Sequence, residues 1–481
     1  MHGPYIIFPT CGNCCSYCES KTVKYSPRSC VSMDIEDVIA EVLQRIVPTK
    51  EEENFVSTLM EEIKEKTEET IEELNLDAKP YFVGSLAKDT YLAGDHDVDL
   101  FIAFPLDTSL EELREKGLEL GKVLGERLGK YEIAYAEHPY VRAEYKGIRV
   151  DIVPCYNVKN WKDVRTAVDR SILHTHWVLE NIKGKNNEVR LLKRFLKGIN
   201  AYGSEIYIRG FSGYLAEILI IEFGSFLNVL EKSDFMLRKK IIDPEDWMKR
   251  ESEITMKTIK REVGEDKPLI VIDPVDPRRN VAANLSWERY GLFYFKSQEF
   301  LKEPSTEFFF PRKKIGNYLS ALRSRKTHLI TLTFNPPKLV DDILLPQVER
   351  TAKGIKRQLE LEGFKVLGYD YGREFIFLEV DRLEREGIKV KRGPLYFTQH
   401  GKRFYEKNDI VWIEGKELAS EKPISTFIVD VLEEILRKGQ FSAGKNIKDA
   451  IVKGDILVDF VPKELSKDAY LFLSREKFRV K

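Results

Sequence analysis

The stretch YFVGSLAKDTYLAGDHDVDLFIAFP (Tyr81–Pro105) decides the fold of this chain. Residues 97–104, near its end, have the two-residue period of a β-strand. This period places Asp97 and Asp99 on one face and the apolar residues that alternate with them on the other. Carboxylates beside an apolar run repel each other and resist burial, so their position calls for a chemical reason.

A third carboxylate of this kind is Asp151, in GIRVDIVPCY (147–156), where it faces away from the apolar residues that alternate with it. If this strand is a neighbour of the first in one sheet, Asp97, Asp99 and Asp151 converge at one edge. Three negative charges so close need cations, and hard oxygen ligands suit Mg²⁺. The pattern therefore predicts a two-magnesium site, with ions about 3.5–4 Å apart, that activates an attacking hydroxyl and steadies a leaving oxygen.

The residues just upstream suit a phosphate site. Gly84 and Ser85 follow the apolar run 81–83, and Lys88 lies three residues further on. Glycine lets the backbone approach a phosphate, serine adds a hydroxyl and an N–H donor, and lysine adds positive charge. A Gly-Ser pair alone is usually a turn, and a lone Asp-x-Asp is usually a solvated strand edge. Their ordered combination favours phosphoryl-transfer chemistry.

Composition limits the other function classes. The 481 residues are enough for roughly three or four domains, and 43% of them are hydrophobic. Charged residues make up 32% but nearly cancel, to a net charge of −1, so a basic surface must come from local clustering. The sequence has no apolar run of about 18 residues, so we expect no membrane span and a cytoplasmic protein.

Residues 1–32 form a cysteine-rich extension that has two interpretations. CGNCCSYC (11–18) could bind Zn²⁺ because Cys-x-x-Cys lets two thiolates share one ion, although a closed site needs a second pair. The alternative is a disordered or non-native leader, with folded chain from Met33. An amphipathic helix with Asp34 as its N-cap begins directly after that methionine.

Changes of period divide the rest of the chain into four predicted units of an α+β multidomain protein. Residues 33–160 are expected to place helices around a mixed sheet, and residues 161–305 to be mainly helical. Residues 306–385 contain strand–helix–strand–strand, which is part of a ferredoxin-like sandwich. Residues 386–481 are expected to form a small α/β unit.

Five stretches together resemble a known family. They are GSLAKDTYLAGDHDVDLFIAFP, AEHPYVRAEYKGIRVDIVPCY, AVDRSILHTHW, KNNEVRLLKRFLKGINAYGSEIYIRGFSGYLAEILI and VIDPVDPRRNVAANLS. They resemble the nucleotidyltransferase superfamily that includes DNA polymerase β and, within it, the archaeal (class I) CCA-adding enzymes. The resemblance is close from about residue 33 to 300 and looser to the C-terminus, and it does not cover residues 1–32.

This resemblance implies template-independent addition of C, C and A to the 3′ end of tRNA, using CTP and ATP with Mg²⁺ and releasing pyrophosphate. It implies that the four units are a polymerase β-like nucleotidyltransferase head, a helical neck with further nucleotide contacts, a ferredoxin-like body and a tRNA-binding tail. The acceptor arm of tRNA is then expected to bind the body and tail, for which the basic runs 312–326 and 389–407 are candidates. A homodimer is left open.

The resemblance also assigns site residues. Its catalytic, metal-binding acids fall on Asp97, Asp99 and Asp151, where several relatives carry glutamate at the first position. Its nucleotide-binding residues fall on Gly84, Ser85, Lys88, His174, Lys193, Tyr202 and Arg279.

Simpler roles compete with several of these assignments. Lys193 belongs to a basic helical stripe over 190–197 that is either a solvated face or a triphosphate clamp. His174 and Tyr202 are either nucleotide contacts or packed core residues.

Two further positions carry alternatives of their own. Arg279 is expected in a proline-bounded turn, as a base or primer contact, and its neighbour Arg278 competes for that role. Glu137 and His138, in AEHPY, are candidate primer contacts or ordinary strand-surface residues.

Two rival functions remain at this point. One is another polymerase β-like RNA nucleotidyltransferase, of the poly(A) polymerase or oligoadenylate synthetase type, which would share the acids and differ in primer and nucleotide. The other is a non-catalytic RNA-binding protein, which would have a broken triad, whereas all three acids are present here.

Overall fold

A computed structural model of the chain describes residues 34–135, 139–234, 241–312, 316–385, 387–423 and 427–480. The extension predicted for 1–32 and the candidate primer contacts Glu137 and His138 lie outside these ranges. Across the described ranges, every helix is too short or too polar to span a bilayer.

The first unit is a five-stranded mixed sheet with helices. Its elements are α1 (Ile35–Ile46), α2 (Lys50–Glu73), β1 (Lys79–Val83), α3 (Gly84–Ala87), β2 (Val98–Phe104), α4 (Leu110–Leu128), β3 (Lys130–Tyr135), β4 (Pro139–Tyr145) and β5 (Ile148–Tyr156). The strand order is β1-β2-β5-β4-β3. Strands β2 and β5 run parallel, and the other neighbours run antiparallel.

Alternation along β2 and β5 gives the sheet two buried faces. Leu100 and Ile152 belong to the face that packs against α2 and α4. Phe101 and Val153 belong to the other face, which packs against Ile172 of the next helix. Because residues two apart share a face, the second face is the one that carries the predicted acids.

The second unit is mainly helical. Its elements are α5 (Arg170–Ile182), α6 (Asn186–Gly198), α7 (Gly213–Phe223), α8 (Phe226–Glu231), β6 (Ile241–Ile242), α9 (Trp247–Arg250), α10 (Ser252–Gly264), β7 (Ile270–Asp273), β8 (Asp276–Asn280) and α11 (Trp287–Lys302). Strands β7 and β8 pair antiparallel across a tight connection. Arg279 therefore lies on a strand, and its predicted position in a turn is wrong.

Helix α1 packs on this second unit. Val38 and Val42 are fully buried there, in one cluster with Val189 and Leu192 of α6. Asp34 holds the N-cap position of α1, but its side chain makes no capping hydrogen bond, so the predicted cap is wrong in that respect. Burial of the apolar stripe is what fixes the helix.

The remaining chain forms two further sheets. Its elements are α12 (Tyr318–Arg325), β9 (His328–Thr333), α13 (Asp341–Leu361), β10 (Val366–Tyr371), β11 (Phe375–Val380), β12 (Ile388–Leu395), α14 (Gln399–Lys407), β13 (Ile410–Glu414), β14 (Glu417–Pro423), α15 (Ile428–Lys438), α16 (Lys448–Val452), β15 (Asp455–Val458) and α17 (Ser466–Leu473). One sheet has the order β10-β11-β9-β15 and the other β12-β14-β13.

The four-stranded sheet crosses the boundary predicted at residue 385. Strand β15 comes from the segment predicted as a separate unit, yet it pairs antiparallel with β9, Val458 opposite Ile330. Without it the inner strand β9 would present an unpaired edge, which folded proteins usually cover. A division by sequence order alone does not describe this sheet.

Candidate active site

Strand register brings the predicted acids together. Asp99 on β2 is the direct partner of Asp151 on β5 in the parallel pair. Asp97 precedes β2 by one residue, and Arg149 contacts both outer carboxylates, forming an ion pair with Asp97 and lying 3.9 Å from an Asp151 oxygen. The three acids therefore lie together near the N-terminal ends of two adjacent inner strands, β2 and β5.

The Gly-Ser loop lies directly against this cluster. On β1, Val83 is the register partner of Asp99, so the next residue, Gly84, meets the carboxylate. Gly84 has φ +74°, and a Cβ there would lie 2.0 Å from an Asp99 Oδ atom. Only glycine combines this left-handed backbone with so close an approach. Ser85 follows and lines the adjoining cleft.

The segment before Asp97 is anchored on the first two helices. The amide of Ala93 donates to the carbonyl of Ile46 at 2.9 Å. The carboxylate of Glu52 accepts the Gly94 amide at 2.6 Å and also contacts the His96 ring. Burial alone would raise the pKa of Glu52, but these hydrogen bonds leave it lowered. The position of Asp97 thus depends on α1 and α2.

Two arginines neutralise the outer carboxylates. Arg142, opposite Asp151 on β4, donates to both of its oxygens at 2.8 and 3.0 Å and also to the Tyr140 hydroxyl. Arg149 forms the ion pair with Asp97. Neither arginine was singled out from the sequence, although the spacing of two from Asp151 places Arg149 on its face of β5.

The environment of Asp99 disfavours its ionised form. Burial, and then the charges of Asp151 and Asp97, raise the pKa of Asp99 to about 6. Among the described residues, no three His, Cys, Asp or Glu side chains already surround one metal position. The donor set nevertheless fits a hard divalent cation, because three carboxylates at one edge supply oxygen ligands and carry more negative charge than their surroundings balance.

A buried ionic cluster lies behind the Gly-Ser loop. Glu217 of α7 accepts from Lys88 Nζ at 2.6 Å, from the Thr90 hydroxyl at 2.6 Å and from Lys193 Nζ at 3.2 Å. Lys193 also donates to the hydroxyl and the carbonyl of Thr90, at 2.9 and 3.1 Å. Glu217 was not predicted; the signal was a charged residue inside the otherwise apolar run LAEILII.

Burial sets the protonation of this cluster. It lowers the pKa of Lys193 to about 8, although the carboxylate of Glu217 acts in the opposite sense. Burial alone would raise the pKa of Glu217, but Lys88 and Lys193 lower it to about 2. The two lysines therefore keep Glu217 ionised, while burial disfavours the charge of Lys193.

The basic stripe of α6 faces the first unit, and its inner members are buried. Arg190 donates to the Tyr91 carbonyl at 2.8 Å and pairs with Asp89. Lys197, one turn beyond Lys193, pairs with Asp95. The stripe therefore binds the segment 89–95 that leads to the acids, an arrangement that neither predicted interpretation described.

His174 and Arg279 meet at a second buried acid. Asp273 of β7 accepts from Arg279 at 2.8 Å, contacts His174 Nε2 at 2.9 Å and accepts from the Tyr214 hydroxyl at 3.2 Å. The rings of His174 and Tyr214 stack with centroids 4.0 Å apart. Burial lowers the pKa of His174, against the charge of Asp273. The sequence did not single out Asp273 or Tyr214.

Arg278 is directed elsewhere. Its guanidinium is held by Asp276 at 2.8 and 3.0 Å and by the Trp161 carbonyl at 2.6 Å, and it lies over the Trp161 ring. Arg279, on the opposite face of β8, is the one that joins His174.

Tyr202 lies near Lys193 and also lines a solvent-accessible cleft. A Cβ on Gly213, the first residue of α7, would lie 2.9 Å from the Tyr202 hydroxyl and 3.7 Å from Lys193 Nζ. The Tyr202 side chain also lines a cleft of about 1880 Å³. Burial raises the pKa of Tyr202 well above its ordinary value, so the hydroxyl stays protonated.

The cleft is lined by residues of the first unit and of the C-terminal units. Its lining includes Ser85, Asp99 and Arg149 beside the carboxylate cluster, and Tyr371 and Phe478 from the C-terminal part of the chain. An elongated substrate could therefore reach the carboxylates while it contacts the C-terminal units.

Three family models match successive parts of the chain. A model described as the nucleotidyltransferase domain matches residues 64–174, one described as tRNA nucleotidyltransferase, second domain, matches 187–310, and one described as CCA-adding enzyme, C-terminal domain, matches 325–459. The chain thus has a polymerase β-like nucleotidyltransferase fold, mixed α/β content and several domains. Nucleotidyltransferases of this kind generally use divalent metal ions.

Full-length relatives agree with these models. The CCA-adding enzyme of Pyrococcus furiosus is 77% identical over 449 residues, which cover 93% of this chain and 99% of the relative. That of Pyrococcus abyssi is 72% identical over 92% of this chain and 99% of its own length. That of Methanothermobacter thermautotrophicus is 37% identical over 87% of this chain and 93% of its own length. At this identity and coverage, the chain belongs to the archaeal CCA-adding enzymes, a family of tRNA nucleotidyltransferases.

Proposed function

We infer that this protein adds C, C and A to the 3′ end of tRNA without a nucleic-acid template, using CTP and ATP and releasing pyrophosphate. The observation that carries this inference is the match to CCA-adding enzymes over almost their whole length. The carboxylate cluster beside a Gly-Ser loop supplies the chemistry that the reaction needs. As a tRNA-processing enzyme, it is proposed to act in the cytoplasm.

Asp97, Asp99 and Asp151 are the proposed ligands of the divalent ions, which we take to be Mg²⁺. When bound, these ions neutralise phosphate charge and activate the attacking hydroxyl. The side chains have a separate task, which is to define where the reacting groups lie. Asp151 belongs to β5 and Asp99 to β2, so a rigid parallel strand pair fixes their separation.

The nucleotide is proposed to lie between two buried acidic anchors. Lys88 and Lys193, held by Glu217, would face its phosphates, together with Ser85 and the backbone of the Gly84 loop. On the other side, His174 and Arg279, held by Asp273, would contact the sugar and base. The Tyr202 hydroxyl would add a contact near Lys193.

We propose that the four units act as head, neck, body and tail. The sheet order β15-β9-β11-β10 supports a ferredoxin-like body. In chain order, helix α13 connects β9 to β10, and helices α15 and α16 lie between β11 and β15. The cleft, lined by the acids and by Tyr371 and Phe478, is the proposed binding site for the acceptor arm of tRNA. Shape and phosphate contacts would hold it there, because A-form RNA hides its major groove.

A direct assay tests this function. Purified protein is incubated with Mg²⁺ and a tRNA that ends at the discriminator base, with each nucleotide singly and in pairs. We expect CTP alone to add two residues, CTP with ATP to add three, and UTP or GTP to add none, read from gel mobility. Long homopolymer tails would identify a poly(A) polymerase-like activity instead, which the matched second and C-terminal domain models do not favour.

Asp273 provides a prediction for the base end of the site. Changing Asp273→Asn removes the charge that orients both Arg279 and His174, so we expect KM for CTP and ATP to rise by about 10- to 100-fold, as for other residues that orient ligand-binding groups. Asp276→Asn, which frees Arg170 and Arg278 instead, is the matched control and should raise KM less. Steady-state kinetics with each nucleotide decides, and equal effects of the two changes would contradict the assignment.

A further inference from the structure

We infer that Glu217 is a positioning residue for nucleotide binding: it holds Lys88 and Lys193 together, so that the pair presents one uncompensated positive charge to the nucleotide phosphates. This inference rests on the proposed function, in which both lysines face the nucleotide. It adds a residue on a different helix, which itself does not touch the substrate.

The geometry of the cluster is that of a shared counterion. One Glu217 oxygen accepts from Lys88 at 2.6 Å, and the other accepts from Lys193 at 3.2 Å and from the Thr90 hydroxyl at 2.6 Å. The side chain of Glu217 is 1% exposed and those of the two lysines 7% and 4%. Groups this deeply buried, each with several partners, have little freedom to rearrange.

The charges of the cluster do not cancel. Two lysines share one carboxylate, while two other cations of the α6 stripe have acids of their own, Arg190 with Asp89 and Lys197 with Asp95. A buried net positive charge is costly unless an anion offsets it. A nucleotide triphosphate is such an anion, so the surplus charge favours substrate in the site.

The surplus charge is directed at the reaction site. The charge of Lys88 reaches both Asp99, where it opposes the rise in pKa caused by burial, and His174, where it adds to the lowering caused by burial. Lys193 Nζ and the Tyr202 hydroxyl both lie close to Gly213 of α7, where a Cβ would be 3.7 and 2.9 Å from them. The cluster is therefore near enough to influence both the carboxylates and the proposed sugar contacts.

Removing the carboxylate tests this role. In Glu217→Gln the two ammonium groups repel each other without a counterion, and we expect KM for CTP and ATP to rise by about 10- to 100-fold while kcat changes by less than about threefold. Glu222→Gln, an exposed position on the same helix α7, is the matched control and should leave both constants unchanged. Glu217→Asp keeps the charge on a shorter side chain and should recover part of the loss.

The pH profile distinguishes positioning from simple support of the fold. The charged groups that face Lys193 are Glu217, Lys88 and Lys197. Since the pKa of Lys193 is about 8, nucleotide affinity in the native enzyme should fall as pH rises through that value. Glu217 favours the charged lysine, so in Glu217→Gln the fall should move to lower pH. If Glu217 only supported the fold, the substitution would lower the melting temperature and leave unchanged the pH at which nucleotide affinity falls.

The outcomes are separable. A folded Glu217→Gln variant with unchanged KM and an unmoved pH profile overturns the inference. If that variant does not fold, Glu217→Asp decides, since an unchanged KM in it would overturn the inference equally. Native protein that adds no nucleotide to tRNA would instead refute the proposed function itself.

Discussion

Replacing Asp99 by asparagine is expected to lower nucleotide incorporation by at least about 10³-fold while tRNA affinity stays within about threefold. A bound divalent ion stabilises the charge of the transition state by several kcal/mol, and about 4 kcal/mol corresponds to that factor. Asp99 is the central acid, in register with Asp151 and against the Gly84 loop. RNA binding depends on cationic and shape contacts elsewhere along the cleft, so filter binding of tRNA should change little.

The same change should stabilise the metal-free protein. Asp99 is buried and its pKa is raised to about 6 by burial and by two neighbouring acids, so its ionised form opposes folding at neutral pH. The amide of asparagine carries no charge, so the substitution removes an unfavourable contribution to the free energy of folding of about 1–3 kcal/mol. We therefore expect a higher melting temperature in the presence of a chelator, by about 2–4 °C per kcal/mol.

Asp107→Asn is the control for both effects. This residue is exposed in the turn beyond the far end of β2 and should change neither incorporation nor melting temperature. Incorporation by Asp99→Asn near the native rate would refute the proposed carboxylate mechanism. An unchanged or lower melting temperature would refute the electrostatic explanation of the raised pKa.

The carboxylate cluster could be predicted because it depends on short-range rules. Alternation within β2 and β5 fixes the faces of Asp99 and Asp151, and the apolar residues between them decide which face is buried. What the sequence alone could not supply was the register, which places Val83 opposite Asp99 and thereby sets Gly84 against the carboxylate. Register depends on how two strands pair with each other, which the residue pattern of either strand alone does not specify.

The two buried anchors were not predictable by the same rules. Glu217 is a single charge on an apolar helix, and Asp273 lies in a proline-rich segment that reads as a turn. Glu217 acquires its role from Lys193 and Lys88, 24 and 129 residues away. Asp273 acquires its role partly from His174, 99 residues away. A buried charge in an apolar run is nevertheless a usable signal, because burial of an ion demands a partner.

Burial also changes the meaning of the α6 stripe. Periodicity alone suggested a choice between a solvated face and a phosphate clamp. The helix instead uses Arg190 and Lys197 to bind the segment 89–95, and uses Lys193 in the cluster with Glu217. Cations at helical spacing thus join the first two units of the fold, and this junction carries part of the proposed nucleotide site.

Gly84 gives the second large effect. Changing Gly84→Ala introduces a Cβ that would lie 2.0 Å from an Asp99 oxygen, so the carboxylate must move aside by about an ångström or more. A displacement of that size at a reacting centre can reduce the rate by about 10²-fold. The backbone cost is smaller, about 1–2 kcal/mol for a left-handed non-glycine residue. Activity should therefore fall much further than stability, in kinetic and thermal-melting measurements on the same preparation.

Gly94 separates the two causes. It has φ +80°, close to the +74° of Gly84, but a Cβ there would meet no atom within 4 Å. Gly94→Ala thus carries the same left-handed strain without the clash, and should lose a similar amount of stability while its activity stays within about threefold of the native value. If the two alanine variants lose activity equally, backbone strain is the cause. If only Gly84→Ala loses it, the close approach of the loop to Asp99 is what the reaction requires.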